Sequence, residues 1–194
     1  MDKFLIVVAN GNETIEILTV VDYLRRAGIT VDLASTEKDQ NLLTSQNVSY
    51  KADLMFDEIK PDDYMGLYIP GGTNGAYSLR DNDKVIELIK KFNQEGKILA
   101  AICAGPVVLN RAGVLTDKKA TSFPSMKDEM DKTGEYIDDQ IVITDGNITT
   151  GRGAAVTNYL ALRLVEIIRG ADEVEKLKFG TQHEAVERYF GFTF

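Results

Sequence analysis

At 194 residues, with 44% hydrophobic and 27% charged content, the chain has the size and balance of one globular domain with a real core. A formal net charge of -8 leaves no basic stripe to neutralise phosphates, which argues against a nucleic-acid partner. A single cysteine excludes an internal disulfide. The first apolar run is too short for a signal core or a membrane span, so a cytoplasmic protein with no membrane partner is expected.

Phe4 to Ala9 is a β-branched-rich run, the pattern of a strand buried on both faces. Asn10-Gly11-Asn12 is turn chemistry, with Asn12 placed to cap a helix from Glu13 to Ala27 that Gly28 stops. Ile29 to Ala34 is the next strand, which completes a βαβ unit. Ser35 to Asp53 reads as loop with short edge strands. Met65 to Pro70 is a further buried strand that ends on Gly71-Gly72. Asp81 is read as the cap of a helix running to Glu95, with Gly96 as its stop.

Lys97 to Pro106 is a short apolar strand running straight into a helix that ends at Gly113, with Cys103 at the junction. Ala101 and Gly105 are the small flanks that such a sharp turn needs. The helix that follows aims its free amides at this position, an environment that lowers a thiol pKa from about 8.5 toward about 7. Ile141 to Thr150 has the pattern of a hairpin turning at Asp145-Gly146. Helices are expected over Ala154 to Arg169 and Ala171 to Phe179, followed by a mixed, aromatic-rich tail from Thr181 to Phe194.

Alternating strands and helices imply a mostly parallel sheet covered on both faces, with function at the carboxyl ends of the strands. Three such ends carry unusual chemistry: the turn leading to Glu13 and Glu16, the Gly71-Gly72 pair, and Cys103. Glu16 sits in Ile15-Glu16-Ile17-Leu18, where burial would keep its carboxyl protonated, whereas Glu13 reads as a solvated charge at the helix start. One cysteine and one distant histidine make no metal site, and no phosphate loop or dinucleotide fingerprint is present, so no cofactor is expected.

Ala100-Ala101-Ile102-Cys103-Ala104-Gly105-Pro106, Ile69-Pro70-Gly71-Gly72 with Asn74-Gly75-Ala76, and Leu24-Arg25-Arg26-Ala27-Gly28 resemble the ThiJ/PfpI superfamily. The nearest branch is the one containing the parkinsonism-associated deglycase and the bacterial ThiJ-type proteins. The resemblance implies a flavodoxin-like three-layer sandwich over residues 1–194, with 171–194 as a C-terminal extension packed on it, and a homodimer. It implies that Cys103 and Glu16 are the catalytic pair and that Gly71, Gly72 and Ala104 frame an oxyanion and substrate pocket with Arg152 at its mouth. A second family arginine appears here as Gln46. Where the family commonly carries a histidine before a proline, Thr121-Ser122-Phe123-Pro124 carries Phe123, a pocket wall that neither accepts nor donates a proton. His183, the only histidine, lies beyond the matched region and reads as a surface residue.

The implied activity is a cofactor-independent glyoxalase- or deglycase-type hydrolase acting on methylglyoxal-like dicarbonyls or glycated adducts. A redox sensor in which Cys103 oxidises to sulfinic acid is the alternative, because that chemistry needs no histidine. A cysteine peptidase ranks last, for want of a base paired to the thiol.

Overall fold

The computed structural model describes residues 2–193; Met1 lies outside them, as does Phe194 at the end of the expected tail. In chain order the elements are β1 Lys3–Val8, α1 Thr14–Arg26, β2 Thr30–Ser35, β3 Asn41–Leu43, β4 Ser49–Lys51, β5 Leu54–Met55 and β6 Gly66–Ile69. There follow α2 Thr73–Arg80, α3 Asp83–Gln94, β7 Ile98–Ile102, α4 Pro106–Ala112, β8 Lys119–Ala120, β9 Glu135–Tyr136, β10 Val142–Asp145 and β11 Ile148–Gly151. Helices α5 Thr157–Arg169, α6 Ala171–Gly180 and α7 His183–Phe190 close the chain.

Seven strands form one sheet in the order β10-β11-β7-β6-β1-β2-β5, parallel throughout except for the β10–β11 hairpin. Alternation along β1 sends Leu5 and Val7 into one core and Phe4, Ile6 and Val8 into the other, so the strand is buried on both faces. The first core is closed by α2, α3 and α4 through side chains such as Leu79, Ile89 and Val108. The second is closed by α1, α5 and α6 through Ile17, Val20, Leu24, Leu160, Leu164 and Val174, apolar residues at helical spacing. The result is the flavodoxin-like three-layer sandwich. Strand order reverses between β1 and β6, and in such sheets the crevice for function lies at that point.

Several expectations are corrected. Glu13, not Asn12, caps α1, accepting the Glu16 N–H at 2.8 Å. Asp81 ends the unanticipated helix α2; α3 is capped by Asn82, which accepts the Lys84 N–H at 3.1 Å. Ala154–Val156 is a 3-10 turn ahead of α5. The mixed tail contains α7, and His183 is buried. Asn158 Nδ2 donates to its Nε2, while Nδ1 faces the hydroxyls of Tyr23 at 3.2 Å and Thr181 at 3.1 Å.

Helix α7 is also tied to α6 by Lys178 Nζ and Glu187 Oε2 at 2.9 Å, with side chains only 4% and 9% exposed. Removing one partner of such a pair takes away a charge that offsets the other's burial. Lys178→Met is therefore expected to lower the unfolding free energy by about 3 kcal/mol in a denaturant titration. A change under 1 kcal/mol (roughly that of an exposed pair) would show that α7 opens freely.

Candidate active site

Strands β1, β6 and β7 are neighbours, so the turns that leave their carboxyl ends meet. Between β7 and α4, Cys103 has φ 61, a left-handed conformation uncommon for a residue with a side chain. Two backbone bonds hold it there: its N–H donates to Gly151 O at 2.9 Å, and its carbonyl accepts the Phe123 N–H at 2.8 Å. Gly105 is obligatory at the elbow, because a Cβ would stand 2.4 Å from Ile69 O.

Glu16 reaches the same point from the first turn of α1 and is 0% exposed. Its Oε2 accepts the Gly71 N–H at 2.8 Å, while Oε1 is left without a well-formed hydrogen bond. Tyr68, buried in β6, donates its hydroxyl to the Glu16 backbone carbonyl at 3.0 Å and fixes this turn of the helix from below. A Cβ on Gly71 would fall 2.5 Å from Glu16 Oε2 and 2.6 Å from Cys103 Cβ. Only glycine fits between acid and thiol.

Burial raises the Glu16 carboxyl to about 7, opposed by its contact with the Cys103 thiol and by the Gly71 N–H, with Glu13 adding a smaller upward push. Burial, and then the neighbouring carboxylate, push the thiol up to about 12, while the N–H groups of Gly72 and Ala104 favour the thiolate. This corrects the expectation that the helix start would bring the thiol down toward neutrality: desolvation and a like charge outweigh it. Between these two ionisations the pair holds one proton.

Phe123 is 45% exposed and forms, with Pro124, Ile141, Arg152 and Val156, a largely apolar groove of about 440 Å³. The Arg152 guanidinium, which lines this groove, donates to Asp138 O. Gln46 Oε1 accepts from Thr14 N at 3.2 Å and Thr14 Oγ1 at 2.8 Å, capping α1 where the resemblance implied an anion-binding arginine. Glu13 is a cap and not a freely solvated charge. Among the described residues, no group of three or more His, Cys, Asp or Glu is placed to hold a metal ion, and no helix is long and apolar enough to cross a membrane.

The family model described as DJ-1/PfpI matches residues 2–167. Protein dj-1beta of Drosophila melanogaster is 33% identical over 176 residues, 91% of this chain and 94% of that one. Its crystal structure superimposes with a TM-score of 0.90 at 32% identity, covering 93% and 97% of the two chains. Deglycase PfpI of Pyrococcus furiosus is 39% identical over 152 residues, 77% of this chain and 89% of the relative. An oxidized DJ-1 of Toxoplasma gondii matches with a TM-score of 0.87 at 32% identity, over 94% and 98% of the chains.

The raised Glu16 carboxyl makes stability depend on pH. A carboxyl that binds its proton more tightly folded than unfolded favours the fold below its unfolded value and loses that advantage as pH rises through the folded one. With 4.5 as the ordinary value and about 7 in the fold, the loss is about 3 kcal/mol between pH 4.5 and 8. Glu16→Gln is expected to remove this component, read as a flatter plot of thermal midpoint against pH. An unchanged slope would place the titration elsewhere.

Proposed function

The chain belongs to the DJ-1/PfpI family, and on that premise we propose that it is a hydrolase-type enzyme whose Cys103 attacks the aldehyde carbon of small reactive dicarbonyls such as methylglyoxal, free or bound to an amine. The observation that carries this reading is the thiol lodged against a buried carboxyl whose titration is raised to about 7, with the N–H groups of Gly72 and Ala104 at the sulfur. A relative bearing the name deglycase supports it.

In the proposed sequence the Glu16 carboxylate takes the thiol proton as sulfur bonds to the aldehyde carbon. Negative charge then moves from sulfur to the carbonyl oxygen beside the same two N–H groups, and that oxygen recovers the proton to give a hemithioacetal. Glu16 next removes the hydrogen on that carbon as a proton, and the electron pair moves toward the neighbouring ketone. Reprotonation at the second carbon gives a thioester, which water cleaves to lactate and free thiol. Oxidation of one carbon is balanced by reduction of the next. With a carbinolamine adduct, sulfur takes the place of nitrogen on that carbon: the carbon–sulfur bond forms as the carbon–nitrogen bond breaks, the amine leaves with the proton that Glu16 took from the thiol, and the same hemithioacetal results.

A redox role for Cys103 is the second reading, favoured by Phe123: oxidation by peroxide to sulfinic acid needs no second proton carrier, and a protonated Glu16 would hydrogen-bond the product. We also propose a homodimer, in which a second copy covers Ile15, Leu18, Leu43 and Val48, exposed apolar side chains on α1 and the β3–β4 hairpin. Sedimentation at the mass of one chain would refute it.

Purified protein is expected to convert methylglyoxal to lactate, with activity rising as pH passes about 7 and Glu16 becomes a base. Cys103→Ser should abolish turnover, Glu16→Gln should lower it about 10²-fold or more, and Phe123→His should raise it. Absence of turnover in the wild type, together with a two-oxygen mass gain on folded but not denatured protein under mild peroxide, would replace this reading with the redox one.

A further inference from the structure

Asn12 is fully buried and polar, and neither the helix cap nor the thiol–carboxyl chemistry accounts for it. Its Oδ1 accepts the Ala9 N–H at 2.7 Å, which pins the carboxamide to the end of β1. Its Nδ2 donates to the carbonyl of Gly71 at 2.7 Å and reaches that of Pro70 at 3.4 Å. Turned over, the carboxamide would set its oxygen against two carbonyl oxygens and its NH2 against an N–H, so the network fixes one orientation.

A trans peptide is a rigid plate whose C=O and N–H point in opposite directions. The plate joining Pro70 to Gly71 presents its carbonyl to Asn12 and its N–H to Glu16 Oε2 at 2.8 Å. The plate joining Gly71 to Gly72 presents its carbonyl to Asn12 and to the Glu13 N–H at 3.1 Å, and its own N–H to the Cys103 sulfur. Gly72, at φ +79, has no side chain to resist rotation of that plate. Donation into a carbonyl also polarises the N–H on the far side of the plate. Gly75 closes α2 over the carboxamide, since a Cβ there would lie 2.5 Å from Asn12 Nδ2.

We infer that Asn12 is a positioning residue for the Cys103–Glu16 pair: by clamping the carbonyls of Pro70 and Gly71, it aims the N–H groups of Gly71 and Gly72 at the carboxyl and the sulfur. It touches neither reacting side chain. The inference rests on the reading of Cys103 as the reactive thiol, and its consequence is directional. Both N–H groups favour an anion, so releasing them makes both side chains harder to ionise.

Because Cys103 is the only cysteine, alkylation of the intact protein by iodoacetamide reports on this sulfur alone. Second-order rates measured from pH 5 to 10 are compared for wild type, Asn12→Ala, Asn12→Ser and Asn110→Ala. Asn110 is a buried asparagine on α4 that ties Glu129 O and Asp131 at 2.9 Å, so its loss perturbs the fold away from the site. Asn12→Ala should alkylate about tenfold more slowly at pH 8, with its rising limb moved upward by about one pH unit. Its kcat on methylglyoxal should fall about 10²-fold with KM little changed. Asn12→Ser, which keeps a small polar group near Ala9 but cannot span to Gly71, should show the same shift and is the variant read should Asn12→Ala lose its fold. Asn110→Ala should lower the thermal midpoint and leave the profile where it was. A folded Asn12 variant with the wild-type profile, or an equal shift in Asn110→Ala, overturns the inference. Should the wild type consume no methylglyoxal while the alkylation shift persists, the positioning role stands and the proposed substrate falls.

Discussion

Glu16 is a carboxyl without water, and the arrangement around the elbow follows from that condition. Leu5, Ile17 and Tyr68 belong to an interior that offers no solvent, so the carboxyl keeps its proton to about pH 7 and thereafter holds a charge that only neighbouring donors can stabilise. Those donors are few: the Gly71 N–H on one oxygen and the thiol as the titratable neighbour. The carboxylate in turn is a large part of what keeps the thiol protonated. Each titration is therefore set partly by the other side chain.

The sheet supplies the meeting of these groups without any long-range coincidence. Three adjacent parallel strands, β1, β6 and β7, deliver their carboxyl ends to one edge, so the turns after them share a crevice. What the sheet cannot supply is close approach, which falls to glycine. Gly71 lets acid and thiol come within reach, Gly105 lets the elbow pass beneath Ile69 O, and Gly75 lets α2 cover Asn12. Conformational strain at Cys103 is sustained by its two backbone anchors on β11 and on Phe123.

Much of this was legible in the sequence wherever the signal is local. The β-branched run of β1, the small residues flanking Cys103 and the Asp145-Gly146 turn each state a backbone preference over a few positions. Asn12 shows the limit of that reading. An asparagine just before a helix is a cap signal, yet Glu13 takes the cap because the Asn12 carboxamide finds better partners 58 and 59 residues away, across the switch point. Helix α2 was hidden by its glycine, whose reason is again the distant Asn12. His183 looked like surface until α1 and α5 closed over it. The thiol shows the same limit: a helix start is visible in sequence, whereas the desolvation that pushes the thiol up belongs to the assembled fold.

The raised thiol is consistent with nucleophilic chemistry. Thiolates of low pKa are abundant but sluggish, because nucleophilicity falls as basicity falls. A sulfur whose proton is held to about pH 12 becomes a strong nucleophile in the instant that the proton is carried away. In the proposed reaction the carrier is the adjacent carboxylate, and Phe123 offers no imidazole to share the task. That reaction couples proton removal and carbon–sulfur bond formation in one contact. In the proposed reaction the N–H groups of Gly72 and Ala104 serve two anions in succession, first the sulfur and then the substrate oxygen. Tighter binding of the thiolate would slow attack by stabilising the reactant, while looser donors would fail the oxyanion. A peptide plate held from behind by a buried carboxamide meets both demands, since its direction is fixed while its strength is only that of a neutral amide.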